Sequence, residues 1–215
     1  IFQGNRAGDL YLQIAGFQPP EGSIINLGFT QSIRKNSRRP YTVNIGALGT
    51  ALRGAGIRTT VFGNCDIPGE YKRYLVSMMM DDRGIVPGGY IDRRFLVTDH
   101  NRPFGMRTDY DLLLRTIDEA WDYTDVFAIQ LGDTSRAEDF RNETTDALNK
   151  QYKIRAIEES DAFIGSLIKG INWQHDRIMI ITPLGPTSDS AENNRLTPVI
   201  MAGRGFSKRL LSSAS

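Results

Sequence analysis

The sequence predicts an α/β domain built on a mostly parallel sheet with helices on both faces. Three observations carry that prediction. The runs Ile57-Arg58-Thr59-Thr60-Val61-Phe62, Val126-Phe127-Ala128-Ile129-Gln130-Leu131 and Arg177-Ile178-Met179-Ile180-Ile181-Thr182 are short and rich in apolar or β-branched residues, as strands covered on both faces are. Helical patterns lie between them, the order a βαβ unit requires. The first two runs stop abruptly at a glycine followed by polar residues, Gly63-Asn64-Cys65-Asp66 and Gly132-Asp133-Thr134-Ser135-Arg136. The 215-residue length suits one such domain.

Taken in order, the opening to about Gly22 is rich in Gly, Gln and Pro and reads as irregular or partly helical. Ser23–Phe29 reads as a strand, followed by a basic loop. Thr42 or Asn44 can then cap a helix to about Arg53, closed by Gly54 and Gly56, since glycine takes the left-handed exit turn at little cost. After the first core strand, Asp66 two residues before Pro68 fits the start of a helix through Met80. Residues 81–107, rich in Gly and charge, read as an insertion. Thr108-Asp109-Tyr110-Asp111 opens a helix to about Tyr123. A long helix is expected from about Thr145 to Ile171, with Leu148, Tyr152, Ile157, Ile164, Leu167 and Ile168 as its apolar stripe. Pro198–Met201 reads as a last short strand.

A net charge of +1 gives no general attraction to nucleic acid or anionic lipid, and no nucleic-acid partner is expected. The local exception is Arg34-Lys35-Asn36-Ser37-Arg38-Arg39, a solvated loop or a phosphate or lipid-headgroup contact. A single cysteine, Cys65, rules out an internal disulfide. No run approaches the roughly 18 apolar residues of a membrane span. The chain opens on Ile1 without a signal segment. A processed piece of a longer, extracytoplasmic and membrane-associated protein is therefore expected, with any membrane contact made through segments outside it.

Chemistry in an open parallel sheet sits beyond the carboxyl ends of the strands. Three loops there carry polar groups: the one holding Asn64 and Asp66, the one holding Asp133 and Arg136, and Thr182 onward through Asp189 to Asn194. Asp66, Asp133 and Asp189 are candidate metal ligands. An oxygen-only set of that kind favours Mg²⁺ or Mn²⁺ over zinc. Asn64, Arg136 and Asn194 are candidate contacts for an anionic ligand. The competing reading makes Asp66 and Thr134 helix caps. The two histidines, His100 and His175, lie away from these loops, which excludes a histidine-rich zinc site. P-loop, dinucleotide-binding, zinc-protease and serine-hydrolase motifs are absent.

The helix Tyr152…Leu167, the strand and polar loop after it, and Arg195-Leu196-Thr197-Pro198-Val199-Ile200…Gly203-Arg204-Gly205-Phe206 together resemble the alkaline phosphatase superfamily, as do Gly63–Asp66 and Leu131-Gly132-Asp133. This group includes sulfatases, phosphodiesterases and cofactor-independent phosphoglycerate mutases. The resemblance spans about residues 42–206. It implies one domain over residues 1–215, a three-layer α/β/α sandwich with a mostly parallel central sheet. It also implies attack by a Ser or Thr nucleophile on a phosphate or sulfate ester at a two-metal site. Ser23 and Thr30 are the nucleophile candidates by position. The expected Asp-His-Gly falls at Thr182-Pro183-Leu184-Gly185, where only the glycine is present, and the late histidine falls near Asn193 or Asn194. The resemblance therefore implies a scaffold with a depleted site.

Two readings remain at the level of sequence. One is a non-catalytic domain that binds a partner protein or a small anion. The other is a metal-dependent phosphoryl- or sulfuryl-ester hydrolase or transferase working with a reduced set of oxygen ligands around Asp66, Asp133 and Asp189.

Overall fold

The β-branched run after Gly56 becomes the central strand of a small parallel sheet. A computed structural model of the chain describes residues 7–38, 40–182 and 197–207. The chain divides into two compact units, Ile1–Ser160 and Asp161–Ser215. The architecture is mixed α/β, 46% helix and 19% strand, so helix dominates and no large central sheet forms among the described residues.

The first unit opens with α1 (Ala7–Ala15), β1 (Ile24–Ile25), α2 (Phe29–Asn36) and α3 (Ala47–Gly54). Next come β2 (Thr59–Gly63), α4 (Tyr74–Met79), β3 (Ile85–Val86), β4 (Gly88–Tyr90), β5 (Leu96–Thr98) and β6 (Met106–Thr108). They are followed by α5 (Tyr110–Ala120), β7 (Val126–Gln130), α6 (Asp133–Asp139) and α7 (Asp146–Leu167), whose last turns belong to the second unit. That unit adds β8 (Arg177–Ile181) and β9 (Val199–Gly203). No helix among the described residues is long and apolar enough to cross a membrane.

β2 lies between β4 and β7 and runs parallel to both, with Val61 in register with Gly89 and Ala128. Alternation along the strands puts Thr59, Val61, Val126 and Ala128 on one face and Thr60, Phe62, Phe127 and Ile129 on the other. The first face meets an aliphatic core of Val76, Met79, Met80, Ile85 and Val86, together with Tyr11 and Phe29. On the second face Phe62 packs on Tyr90, Phe95 and Phe127, and Trp121 stacks on Phe127 at 5.4 Å. α5 buries Leu113 and Ile117 completely and packs beside the 3-10 turn that carries Phe95. Every residue of β2 is buried, as a strand covered on both faces must be.

Several expectations change at the level of elements. The strand expected over Ser23–Phe29 shrinks to Ile24–Ile25, paired antiparallel with Ile85–Val86. The Asn26 side chain accepts the Gly28 N–H at 2.9 Å and turns the chain into α2, so Arg34 and Lys35 stand on a helix rather than in a loop. Residues 81–107, expected as an insertion, supply β3 and β4; Val86 is fully buried in the core. Glycine at position 89 is a steric need, because a Cβ there would run into the Val61 carbonyl. α4 starts at Tyr74, well after Asp66. Along α7, Leu148 and Ile157 are exposed while Asn149, Ala156 and Phe163 are buried.

In the second unit, β8 and β9 pair antiparallel as a two-stranded sheet of their own, with Met179 opposite Met201. The expected parallel strand covered on both faces is thus replaced by one whose residues alternate in exposure, Met179 being 55% exposed.

Candidate functional site

Two loops leave the carboxyl ends of β2 and β7 side by side. Gly63 closes β2 with φ at 86°, a conformation that favours glycine, and a Cβ there would strike the Gln130 carbonyl. The chain then runs through Asn64, Cys65 and Asp66. β7 ends at Gln130, and Gly132 leads directly into α6. Gly132 is also a close approach: a Cβ there would run into the Asn64 carbonyl and the Arg136 guanidinium. The two glycines therefore allow the two predicted site loops to touch.

Arg136 lies between them. It is 1% exposed, and all three of its guanidinium nitrogens have partners. Nε and Nη2 donate to Asp133 Oδ1 at 3.2 and 2.9 Å, and Nη2 also donates to Thr108 Oγ1 at 2.7 Å. Nη1 donates to the carbonyls of Asn64 and Asp66 at 3.3 and 3.4 Å. Asp133 in turn accepts the Thr108 N–H on both oxygens, at 3.1 and 3.2 Å. Burial, and after it the Asp133 charge, pushes the Tyr110 hydroxyl well above its ordinary range, so this phenol holds its proton at neutral pH.

Asp66 is paired in the same way. It is buried, takes the Lys72 N–H on Oδ1 at 2.9 Å, and is gripped by Arg73 Nη2 on Oδ2 at 2.9 Å and by Arg73 Nε at 3.2 Å. It caps no helix; the turn it closes lies ahead of α4. Asn64 donates to the carbonyls of Ile91 and Asp92 and accepts the Asp66 N–H, so it ties the loop to the chain after β4. Gln130 donates to Cys65 Sγ at 2.9 Å. Lys72 lies 3.0 Å from Asp139 and 3.5 Å from Glu70; partial burial works against its charge, yet these carboxylates hold its ammonium above the ordinary value.

The structure thus brings together Asn64, Asp66, Asp133 and Arg136 of the predicted set, and internal partners engage each of them. Among the described residues, no three acidic, histidine or cysteine groups converge as a metal site would require. A cleft of about 110 Å³ beside Asp66 is lined by Asp66, Glu70, Tyr71, Arg93, Leu96 and Met106. Arg93 is exposed on its edge and forms no ion pair among the described residues.

Ser23 and Thr30 stand elsewhere. Thr30 is on the first turn of α2. Ser23 shares a cleft of about 100 Å³ with Arg53, Thr59, Asp81 and Arg83. Thr59 is the first residue of β2 and Asp66 lies three residues beyond its last, so Ser23 and the aspartates belong to opposite ends of a strand roughly 13 Å long at strand rise. Asp189, Asn194 and the Pro183-Leu184-Gly185 loop lie outside the described residues.

Sequence reading missed Arg73, Thr108 and Asp81. Asp81 takes the N–H groups of Arg83 and Ile85 at 2.9 and 3.0 Å and pairs with Arg53 and Arg83. Its bonds to residues 83 and 85 are local to the turn before β3, and its pair with Arg53 of α3 depends on the fold. Comparison with protein-family models, with curated proteins and with solved structures gives no match, so the functional reading rests on this geometry.

Proposed function

We propose that the chain is an alkaline-phosphatase-like α/β/α domain with a structural rather than catalytic strand-end cluster, and that it binds a partner protein or small anion. The observation that carries this reading is the pairing of Asp66 with Arg73 and of Asp133 with Arg136. Recruiting a divalent cation to either carboxylate would mean releasing its arginine. For Asp133 that leaves a guanidinium 1% exposed without its counter-charge, at a cost of several kcal/mol. The cleft beside Asp66, with Arg93 and Tyr71 on its edge, is the place where a small anionic group would meet a cation not already engaged.

The test is a panel of phosphomonoesters, phosphodiesters and sulfate esters assayed with Mg²⁺ or Mn²⁺, alongside Mn²⁺ titration calorimetry. The expected result is no turnover above that of Asp133→Ala and no Mn²⁺ heat that this substitution removes. Turnover abolished by Asp133→Ala would overturn the reading in favour of a metal-dependent esterase.

A further inference from the structure

The stretch 22–65 contains no Asp or Glu and six basic residues, in a protein whose net charge is only +1. Arg53 is tied to Asp81 and Asp82, and Arg58 to Asp125. Arg34, Lys35 and Arg38 are different: all three are exposed and none forms an ion pair among the described residues.

Helix geometry gathers these charges on one side. At about 100° per residue, Gln31, Arg34 and Lys35 fall opposite Phe29, Ser32 and Asn36. Phe29 is buried, and Asn36 donates to the Ser32 carbonyl at 2.8 Å. The last turn of α2 therefore turns its cations outward, and Arg38 follows just beyond it. Cations at a helix C-terminus also meet its negative end, which explains one or two of them but not the apolar residues beside them. Ile33, Tyr41, Val43 and Leu48 are 42%, 61%, 38% and 47% exposed. An exposed run that alternates unpaired cations with aliphatic and aromatic side chains has the make-up of a surface that lies in a bilayer interface.

We propose that α2 and the segment after it, residues 31–38 and 40–48, form a docking surface for an anionic lipid bilayer. Arg34, Lys35 and Arg38 meet the headgroups, and Tyr41 and Val43 enter the headgroup–acyl boundary. The apolar side chains decide between the two polyanions that fit the charge. A phosphodiester backbone has no use for exposed valine and leucine, whereas a bilayer interface does. The surface is separate from the strand-end cleft, so either proposal can fail alone.

The experiment is co-sedimentation of the full chain with phosphatidylcholine vesicles, with and without about one third phosphatidylglycerol. Binding is expected only to the anionic vesicles and should weaken as salt rises. Each cation near such a surface strengthens attachment roughly fivefold, so Arg34→Gln, Lys35→Gln and Arg38→Gln together should lower the partition coefficient on the order of 100-fold. Tyr41→Ser with Val43→Ser should lower it roughly tenfold with the salt dependence unchanged. All five side chains are exposed, so unchanged melting temperatures are expected; the wild-type salt titration tests the proposal even if a variant misfolds. Equal sedimentation with neutral and anionic vesicles overturns it, as does indifference to the triple substitution. Tighter binding of a labelled single-stranded oligonucleotide than of anionic vesicles, in the same buffer, would reassign the surface to nucleic acid.

Discussion

Asp133 and Arg136 sit three residues apart on α6, yet their pairing matters mainly for what it joins. The arginine reaches the carbonyls of Asn64 and Asp66 at the end of β2, and the aspartate holds the N–H of Thr108 at the end of β6. Removing one partner leaves the other buried and uncompensated, so Arg136→Ala should destabilise the chain by about 3–5 kcal/mol in urea denaturation at pH 7. The double change Asp133→Leu with Arg136→Met should cost clearly less than the sum of the two single changes, because no charge is left stranded. Additive effects would count against the pairing. Gly132→Ala probes the same joint by steric means: its Cβ meets the Asn64 carbonyl and the guanidinium, and a loss of roughly 1–3 kcal/mol is expected by the same measurement.

Elements differ in how much of their making is local, and that decides which of them sequence can reveal. Asp109 caps α5 by accepting the Leu112 N–H at 3.0 Å, a contact three residues long, and the sequence pattern announces it. Asp109→Ala should cost about 1 kcal/mol in the same denaturation assay, with helix content by circular dichroism nearly unchanged. Asp66 has the residue type of a cap but spends itself on Arg73 and on the Lys72 N–H, in a turn no periodicity marks. β4 is hidden for another reason. Gly88-Gly89-Tyr90 has no apolar alternation, and it becomes a strand only because β2 offers a parallel edge that its glycines can approach. β2 and β7 are legible because coverage on both faces, complete for β2 and partial for β7, goes with a continuous apolar run. The same signature misleads at β8, where the run Ile178–Ile181 pairs, among the described residues, with β9 alone and leaves alternate side chains exposed.

On the scale of the whole chain, the candidate loops could be located from sequence, since strand ends are set by apolar runs and glycines. The Asp133–Arg136 pair is local to α6, but the bonds of Arg136 to Asn64, Asp66 and Thr108 and the pairing of Lys72 with Asp139 are made by the fold and are not legible in the sequence. Other paired carboxylates, outside that cluster, and the buried thiol decide how stability should depend on pH. Hydrogen bonds from Arg58 hold Asp125 down to about 2. Asp92 is lowered chiefly by Arg94 and Asp99 by the Asn101 N–H, while Asp81 is lowered by the Ile85 N–H and Arg83 although its burial acts the other way. A carboxylate lowered on folding contributes stability above its unfolded value of about 3.9 and loses it as pH falls through the folded value. Cys65 has the opposite sign: burial raises its thiol, so its contribution is complete below the unfolded value of about 8.5 and is lost as pH rises toward the folded one. Urea-derived stability should therefore change little from about pH 5 to 8, fall toward pH 2, and fall again above about 8.5. Cys65→Ala should flatten part of the alkaline limb, so its stability deficit relative to wild type should shrink between pH 8 and pH 10. A deficit that stays constant over that range would mean that the thiol titrates as freely in the folded chain as in the unfolded one. Stability that rises between pH 4 and pH 3 would break the assignment of the aspartates to native ion pairs.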